Sequence, residues 1–232
     1  MLISTLSQML RDPVSGLVTL GAFVLALVVA ITFHEFCHAL SATLLGDPTA
    51  RRRGRLSLHP RAHLDPLGSV MILVAGFGWG RPVPVTPSYM RSGPRAGLAL
   101  TSAAGPLSNV AVAFLLALPL RAGLVGDAPV GFVFYRGEAL LAYVLGAVVF
   151  WNLVLAAFNL LPIAPLDGFR VALGLLPATL AAPLARLEPH GPIILVLLLM
   201  VDVAFPGTGI LASLVVPVLR FLAALVLGGQ PL

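Results

Sequence analysis

The chain has 232 residues, 59% of them hydrophobic and only 10% charged, with 14 arginines, no lysine, nine acidic residues and a net charge of +5. A solvated globular domain carries about 25% charged residues, so this composition excludes an ordinary soluble fold and any sizeable extramembrane domain. It points to an all-α polytopic membrane protein. The basic excess contains no aromatic-interleaved soluble module, so it excludes a nucleic-acid partner and suits the anionic headgroups of a lipid bilayer. A single cysteine, Cys37, leaves no intrachain disulfide.

A bilayer-crossing helix needs about 20 predominantly apolar residues. The first such run extends from Val14 to Phe33 and continues past a histidine and a glutamate to about Leu45. No small-residue cleavage site follows it, so it reads as a retained helix. The next uncharged stretch, Pro66 to Gly80, is too short and too rich in glycine for a straight crossing, and it predicts a re-entrant loop or strand segment. Further runs cover Ala96 to Leu120 and Ala139 to Leu166. The last, Gly191 to Leu227, is interrupted by Asp202 and the turn-forming Phe205-Pro206-Gly207-Thr208-Gly209, which predicts two shorter helices with Arg220 snorkelling near an end. About five crossings result. Whether the segment from Gly174 to Glu188 forms an interfacial helix or a gate stays open.

Arg51, Arg52, Arg53, Arg55 and Arg61 precede the short stretch, and Arg81, Arg91 and Arg95 follow it. The positive-inside rule places both flanks in the cytoplasm, so the segment enters and leaves by one face. The first helix then ends inside, and Leu45 and Asp167 lie on the same side. The loop holding Arg121, Asp127, Arg136 and Glu138 falls outside, and a plasma-membrane protein with its chemistry toward the cytoplasm is expected.

That chemistry is announced by His34-Glu35-Phe36-Cys37-His38. Residues four apart share a helix face, so the two imidazoles can hold one zinc ion while Glu35 takes a proton from water activated there. Two histidines and a glutamate are costly inside an apolar helix and are functional candidates by that cost. A catalytic zinc takes three protein ligands as a rule. The candidates for the third are Asp167, His59, His63, Glu138, Glu188, His190 and Asp202. Asp167 stands out because it ends Asn159-Leu160-Leu161-Pro162-Ile163-Ala164-Pro165-Leu166-Asp167-Gly168, a broken segment tolerated at membrane depth only where it lines a polar cavity. His59 and His63 read as loop histidines with local hydrogen bonds, since Pro60 between them disfavours a shared helix face.

H-E-x-x-H on an early helix, followed on a later one by N-x-x-P-x-x-P-L-D-G, resembles the site-2 protease family of intramembrane zinc metalloproteases. The likeness covers roughly Val14 to Arg170. It implies one zinc per chain held by His34, His38 and Asp167, with Glu35 as general base and Asn159 steadying the substrate or the oxyanion. Phe169 departs from the pattern, where many members have a second glycine. Ala104-Gly105-Pro106-Leu107-Ser108-Asn109 is similar to the small-residue start of the family's next core helix. The stretch Gly76 to Val85 is similar to its re-entrant segment and could pair with an unwound substrate strand.

The organisation expected is an N-terminal extracytoplasmic segment at 1–13, a metalloprotease core at 14–170 and C-terminal membrane helices at 171–232. The substrate class implied is a single-span membrane protein, cut in or near its transmembrane segment after local unwinding. A regulatory membrane partner or a homo-oligomer is compatible with the sequence. Two other readings share the motif: a metal transporter, which would stagger its ligands across the membrane, and a catalytically silent membrane-binding relative, which would have no use for Glu35.

Overall fold

The computed structural model describes residues 10–75, 78–125, 139–205 and 207–228. Within them lie eight helices of eight residues or more: α1 (Pro13–Leu44), α2 (Pro66–Ala75), α3 (Pro94–Arg121), α4 (Leu140–Asn159), α5 (Asp167–Leu175), α6 (Ala178–Ala185), α7 (Gly191–Ala204) and α8 (Ile210–Leu227). Five segments are long and apolar enough to cross a membrane: α1, α3, α4, the combined stretch Ala178–Ala204, and α8. The chain is thus an all-α polytopic membrane protein. The expected polar loop with Asp127, Arg136 and Glu138 lies outside the described residues.

With lipid on one side and protein on the other, both faces of these helices are apolar, and side-chain size sorts them. The buried face of α1 runs through Ser15, Thr19, Ala22, Ala26 and Ala30, while Leu17, Val24 and Leu25 point outward. Small residues let backbones approach closely where no hydrophobic force distinguishes helix from lipid. Asp12 and Pro13 start this helix, the Asp12 carboxylate accepting the Ser15 N–H at 3.3 Å and its hydroxyl at 2.8 Å. α3 packs against α1, α4 and α5, and α8 closes the bundle over α3 and α4. Ala113 and Ala117, Leu153 and Ala156, and Leu222 and Val226 meet in the core shared by α3, α4 and α8.

The short stretch after Pro66 differs from a strand pair. Its first limb is α2, capped by Asp65, whose Oδ1 accepts the Gly68 N–H at 2.8 Å. The chain then returns in extended form, and the only pairing among the described residues is a single antiparallel bridge, Leu64 to Gly80, beside the Arg81 N–H to His63 carbonyl bond at 2.7 Å. The glycines that weakened a helix reading serve contact between the two limbs. A Cβ on Gly68 would lie 2.1 Å from the Trp79 carbonyl oxygen, and one on Gly78 2.1 Å from that of Gly68. Since the segment begins and ends beside itself, it is re-entrant as expected. Arg55 fastens both ends, donating to the carbonyls of Ala62, Arg81 and Pro82.

The segment from Gly174 to Glu188 contains the end of α5, the short helix α6 and the start of a 3-10 turn, Glu188–His190, that leads into α7. Asp202 joins α7 to α8 by accepting the N–H groups of Ile210 at 2.7 Å and Leu211 at 2.9 Å.

Candidate metal centre

The H-E-x-x-H run occupies the final third of α1. His34 and His38 are buried, and their rings stand edge to face with centroids 4.5 Å apart. Facing them, the proline-rich break after α4 turns through local hydrogen bonds, among them Leu166 N–H to the Ile163 carbonyl at 2.9 Å, and delivers Asp167 as the first residue of α5. Gly168 makes that turn possible, because a Cβ there would sit 2.2 Å from the Leu160 carbonyl oxygen.

Asp167 Oδ2 lies 3.0 Å from His34 Nε2 and 3.2 Å from His38 Nε2. A tetrahedral zinc with bonds of about 2.0–2.1 Å sets its ligand atoms about 3.3 Å apart, so these three atoms match the edges of such a site. They are the one group of three or more metal-ligating side chains among the described residues. On the outer side of the rings, His34 Nδ1 lies 2.7 Å from Asn109 Oδ1, and His38 Nδ1 lies 2.7 Å from the Thr101 carbonyl oxygen. A backbone carbonyl only accepts, so His38 carries its hydrogen on Nδ1 and keeps the Nε2 lone pair for a metal.

α3 supplies the wall behind the imidazoles. A Cβ on Gly105 would come within 2.4 Å of His38 Nε2 and 2.7 Å of His34 Cε1, so only glycine leaves room for both rings. The next residue, Pro106, has no N–H for the Ser102 carbonyl, one helical turn earlier. Glu35 points into the same space, with Oε1 close enough to Gly80 that a Cβ there would meet it at 3.2 Å.

These groups open on a cavity of about 670 Å³, lined by His34, Glu35, His38 and Asp167 and, away from them, by apolar residues such as Phe23, Leu27, Trp151 and Leu199. Asn159 lines it too, its Nδ2 donating to the Leu155 carbonyl at 3.0 Å and retaining a second hydrogen. The returning limb of the re-entrant segment contributes Gly80, Pro82, Val83 and Val85. Arg170 stands at the edge, its guanidinium 4.0 Å from the Glu188 carboxylate.

The structure therefore brings together every residue the motifs singled out: His34, His38, Asp167, Glu35 and Asn159. The remaining third-ligand candidates stand elsewhere. His63 is buried with Nε2 at 2.6 Å from the Ser57 carbonyl oxygen, and His59 accepts the Arg61 N–H through Nδ1 at 3.2 Å, the local pattern expected of them. Asp202 is a link between helices, Glu188 faces Arg170, and Glu138 lies outside the described residues. Cys37 is a free, half-buried thiol apart from the ligand group. Asn109 and Asn152 were not visible in sequence, where the first sits in a plausible packing motif and the second in an apolar run. Their polarity inside membrane helices is the signal that could have found them.

No family model matches the chain, and no solved structure does. Curated relatives do. The chain is 41% identical over 184 residues to a Bacillus subtilis protein named "Putative zinc metalloprotease YwhC", covering 75% of this chain and 78% of that one. It is 34% identical over 194 residues to "Putative zinc metalloprotease Rip2" of Mycobacterium tuberculosis, covering 80% and 64% of the two chains. The protein of the same name from Mycolicibacterium smegmatis is 30% identical over 204 residues, with 84% and 74% covered. With that similarity spread over most of both partners, the chain belongs to the site-2 protease family of intramembrane zinc metalloproteases.

Proposed function

We propose that this metalloprotease hydrolyses peptide bonds in or near the transmembrane segment of single-span membrane proteins. The carrying observation is the convergence of His34, His38 and Asp167 beside Glu35, at one end of a membrane bundle and on the wall of a largely apolar cavity. His34, His38 and Asp167 would hold one zinc ion per chain, and zinc supplies there the Lewis acidity that brings the pKa of water to about 7. Glu35 takes a proton from the attacking water as its oxygen bonds to the scissile carbonyl carbon. The same proton passes to the departing amine as the C–N bond breaks. Asn159 turns its free N–H toward the oxyanion that develops.

A substrate helix must unwind before its carbonyl is exposed, and the extended limb through Val83 and Val85 offers it a backbone partner. Pro82 and Pro84 carry no N–H, so a paired substrate strand uses the edge that bears the Val83 and Val85 groups. The arginine-rich flanks gather at the end of the bundle that holds the site, where Arg91 N–H reaches the Leu45 carbonyl at 2.9 Å and Arg95 binds the Leu173 carbonyl at 2.7 Å. That charge favours the cytoplasmic face of the plasma membrane. Residues 14–170 form the proposed catalytic core, with 1–13 outside and 171–232 adding helices whose Leu195, Leu199 and Leu211 complete the cavity wall.

The test is paired: zinc content and cleavage of a model single-span substrate in liposomes, for the parent and for Glu35→Gln. Zinc near one per chain in both, with cleavage lost only in the variant, supports the reading. Zinc uptake by vesicles without cleavage would replace it by transport, and absence of zinc in the parent would remove the ligand assignment.

A further inference from the structure

The most deeply buried polar side chains of the membrane core are two asparagines that the proposed reaction does not use. Asn109 of α3 and Asn152 of α4 are each 0% exposed. Two helix carbonyls fix which way their amides point. The Val148 and Ala30 carbonyls can only accept, so an amide nitrogen must face each of them: Asn152 Nδ2 donates to Val148 O at 2.8 Å, and Asn109 Nδ2 donates to Ala30 O at 2.9 Å. Asn152 Oδ1 is thereby turned to Asn109 and takes its second N–H at 2.9 Å. With both of its hydrogens committed, Asn109 has only Oδ1 left for His34 Nδ1, at 2.7 Å. An oxygen acceptor there requires the hydrogen on Nδ1, which leaves the Nε2 lone pair directed at the position beside Asp167. Flipping the Asn109 amide would set oxygen against oxygen at both Ala30 and Asn152.

We propose that Asn109 is a positioning residue of the metal centre, that Asn152 holds its amide in register, and that this relay across α1, α3 and α4 selects the tautomer in which His34 binds zinc. The contrast with His38 explains why a side chain is used at one ring only. His38 meets a backbone carbonyl, which cannot flip, whereas His34 meets an amide that needs a second amide to orient it. The inference rests on the reading of His34, His38 and Asp167 as the zinc ligands.

The experiment uses the full chain in detergent and measures zinc affinity by competition with a chromophoric chelator, together with the visible spectrum after loading with Co²⁺. Outer partners of metal-bound histidines are worth about 10–100-fold in affinity, and that loss is expected for Asn109→Leu, with altered cobalt bands. Asn109→Asp keeps an oxygen toward Nδ1 but sets its other oxygen against the Ala30 carbonyl and Asn152 Oδ1, so it is expected to recover only part of that loss and to lie between the leucine variant and the parent. Asn152→Leu falls between them. If Asn109→Leu does not fold, Asn152→Leu, which removes the acceptor that orients the Asn109 amide and leaves the His34 contact in place, carries the same test. Equal zinc affinity and an unchanged cobalt spectrum in the leucine variants overturn the relay and leave the ligand assignment standing. Equal losses for the leucine and aspartate variants of Asn109 overturn it as well, showing that the amides serve packing alone. A parent that binds no zinc overturns relay and ligands together.

Discussion

α4 and the segment Ala178–Ala204 are both apolar enough to span a membrane, yet 61% of the most apolar window of the first is buried within the protein and only 11% of the second. Hydropathy cannot separate them, because lipid accepts leucine as readily as a protein core does. Their residue sizes and their polar groups separate them. α4 buries Gly146, Ala147, Ala156 and Ala157 together with Asn152, while α7 shows Ile193, Val196, Leu197, Met200 and Val203 to the surroundings. Small residues and Asn152 mark where α4 meets its neighbours closely, with Leu153 buried among them, whereas α7 is bulky on the side that lipid covers. The metal centre stands entirely on the first kind of surface apart from Asp167, which the broken segment after α4 carries to it.

The largest effect should come from Gly105. Gly105→Ala places a methyl 2.4 Å from His38 Nε2 and 2.7 Å from His34 Cε1, and neither ring can move aside without losing the hydrogen bond that holds its Nδ1. A displacement of about 1 Å at reacting groups costs on the order of 100-fold in rate, so cleavage should fall by about that factor, with zinc affinity reduced in parallel. The matching control is Gly21 on α1, where an added Cβ meets nothing within 4 Å. Gly21→Ala should leave cleavage unchanged and raise helix stability by about 0.5–1 kcal/mol. Equal behaviour of the two variants would break the distinction between packed and lipid-facing surface.

A smaller and purely structural contrast sets Leu153 against Leu197. Leu153 is fully buried among α3, α4 and α8, and truncating a buried leucine costs about 2–5 kcal/mol in water-soluble cores. Here the low end, about 2 kcal/mol, is expected, since the displaced side chain gains nothing from leaving water and the loss is one of packing. Leu197 is 57% exposed, and Leu197→Ala should stay within about 0.5 kcal/mol. Unfolding in mixed micelles, followed by circular dichroism, compares them directly.

The legible part of the molecule followed the same division. Five crossings, the helix carrying H-E-x-x-H and the broken segment ending in Asp167 could be read because each depends on residues close together in sequence. The relay of Asn109 and Asn152 could not, since its bonds join residues 75 and 43 positions apart and nothing local distinguishes a bonded amide from a stray one. The re-entrant segment was half readable. Its arginine flanks show that it returns to one face, but Gly68 and Gly78 look like helix breakers and are in fact points where two limbs touch. The cavity wall supplied by Leu195 and Leu199 was hidden for the opposite reason, because an apolar residue facing a cavity and one facing lipid look the same.

The loop side of the site makes the smallest prediction, and its sign follows from Asp47. This carboxylate lies just beyond α1, is 0% exposed, and accepts the Thr49 N–H at 2.9 Å, the Thr49 hydroxyl and the Thr86 N–H. Burial alone would raise its pKa, but the hydrogen bonds from Thr49 and Thr86 outweigh that and hold it below the ordinary carboxylate value. A group whose folded pKa is depressed contributes stability that is complete above its unfolded pKa of about 3.9 and is lost as pH falls through the folded value. Thermal stability should therefore be flat with respect to this residue from pH 7 to about 5 and decline below about pH 4. Asp47→Asn puts an NH₂ group against one of its donors, so it should lower stability at pH 7 by about 1 kcal/mol and flatten the acid limb. Because the Thr86 bond ties the end of α1 to the chain returning from the re-entrant segment, the same variant should also loosen the limb that carries Val83 and Val85. Faster amide exchange at those two residues, with zinc affinity unchanged, would show that the cavity-lining limb is anchored from the loop side, independently of the metal.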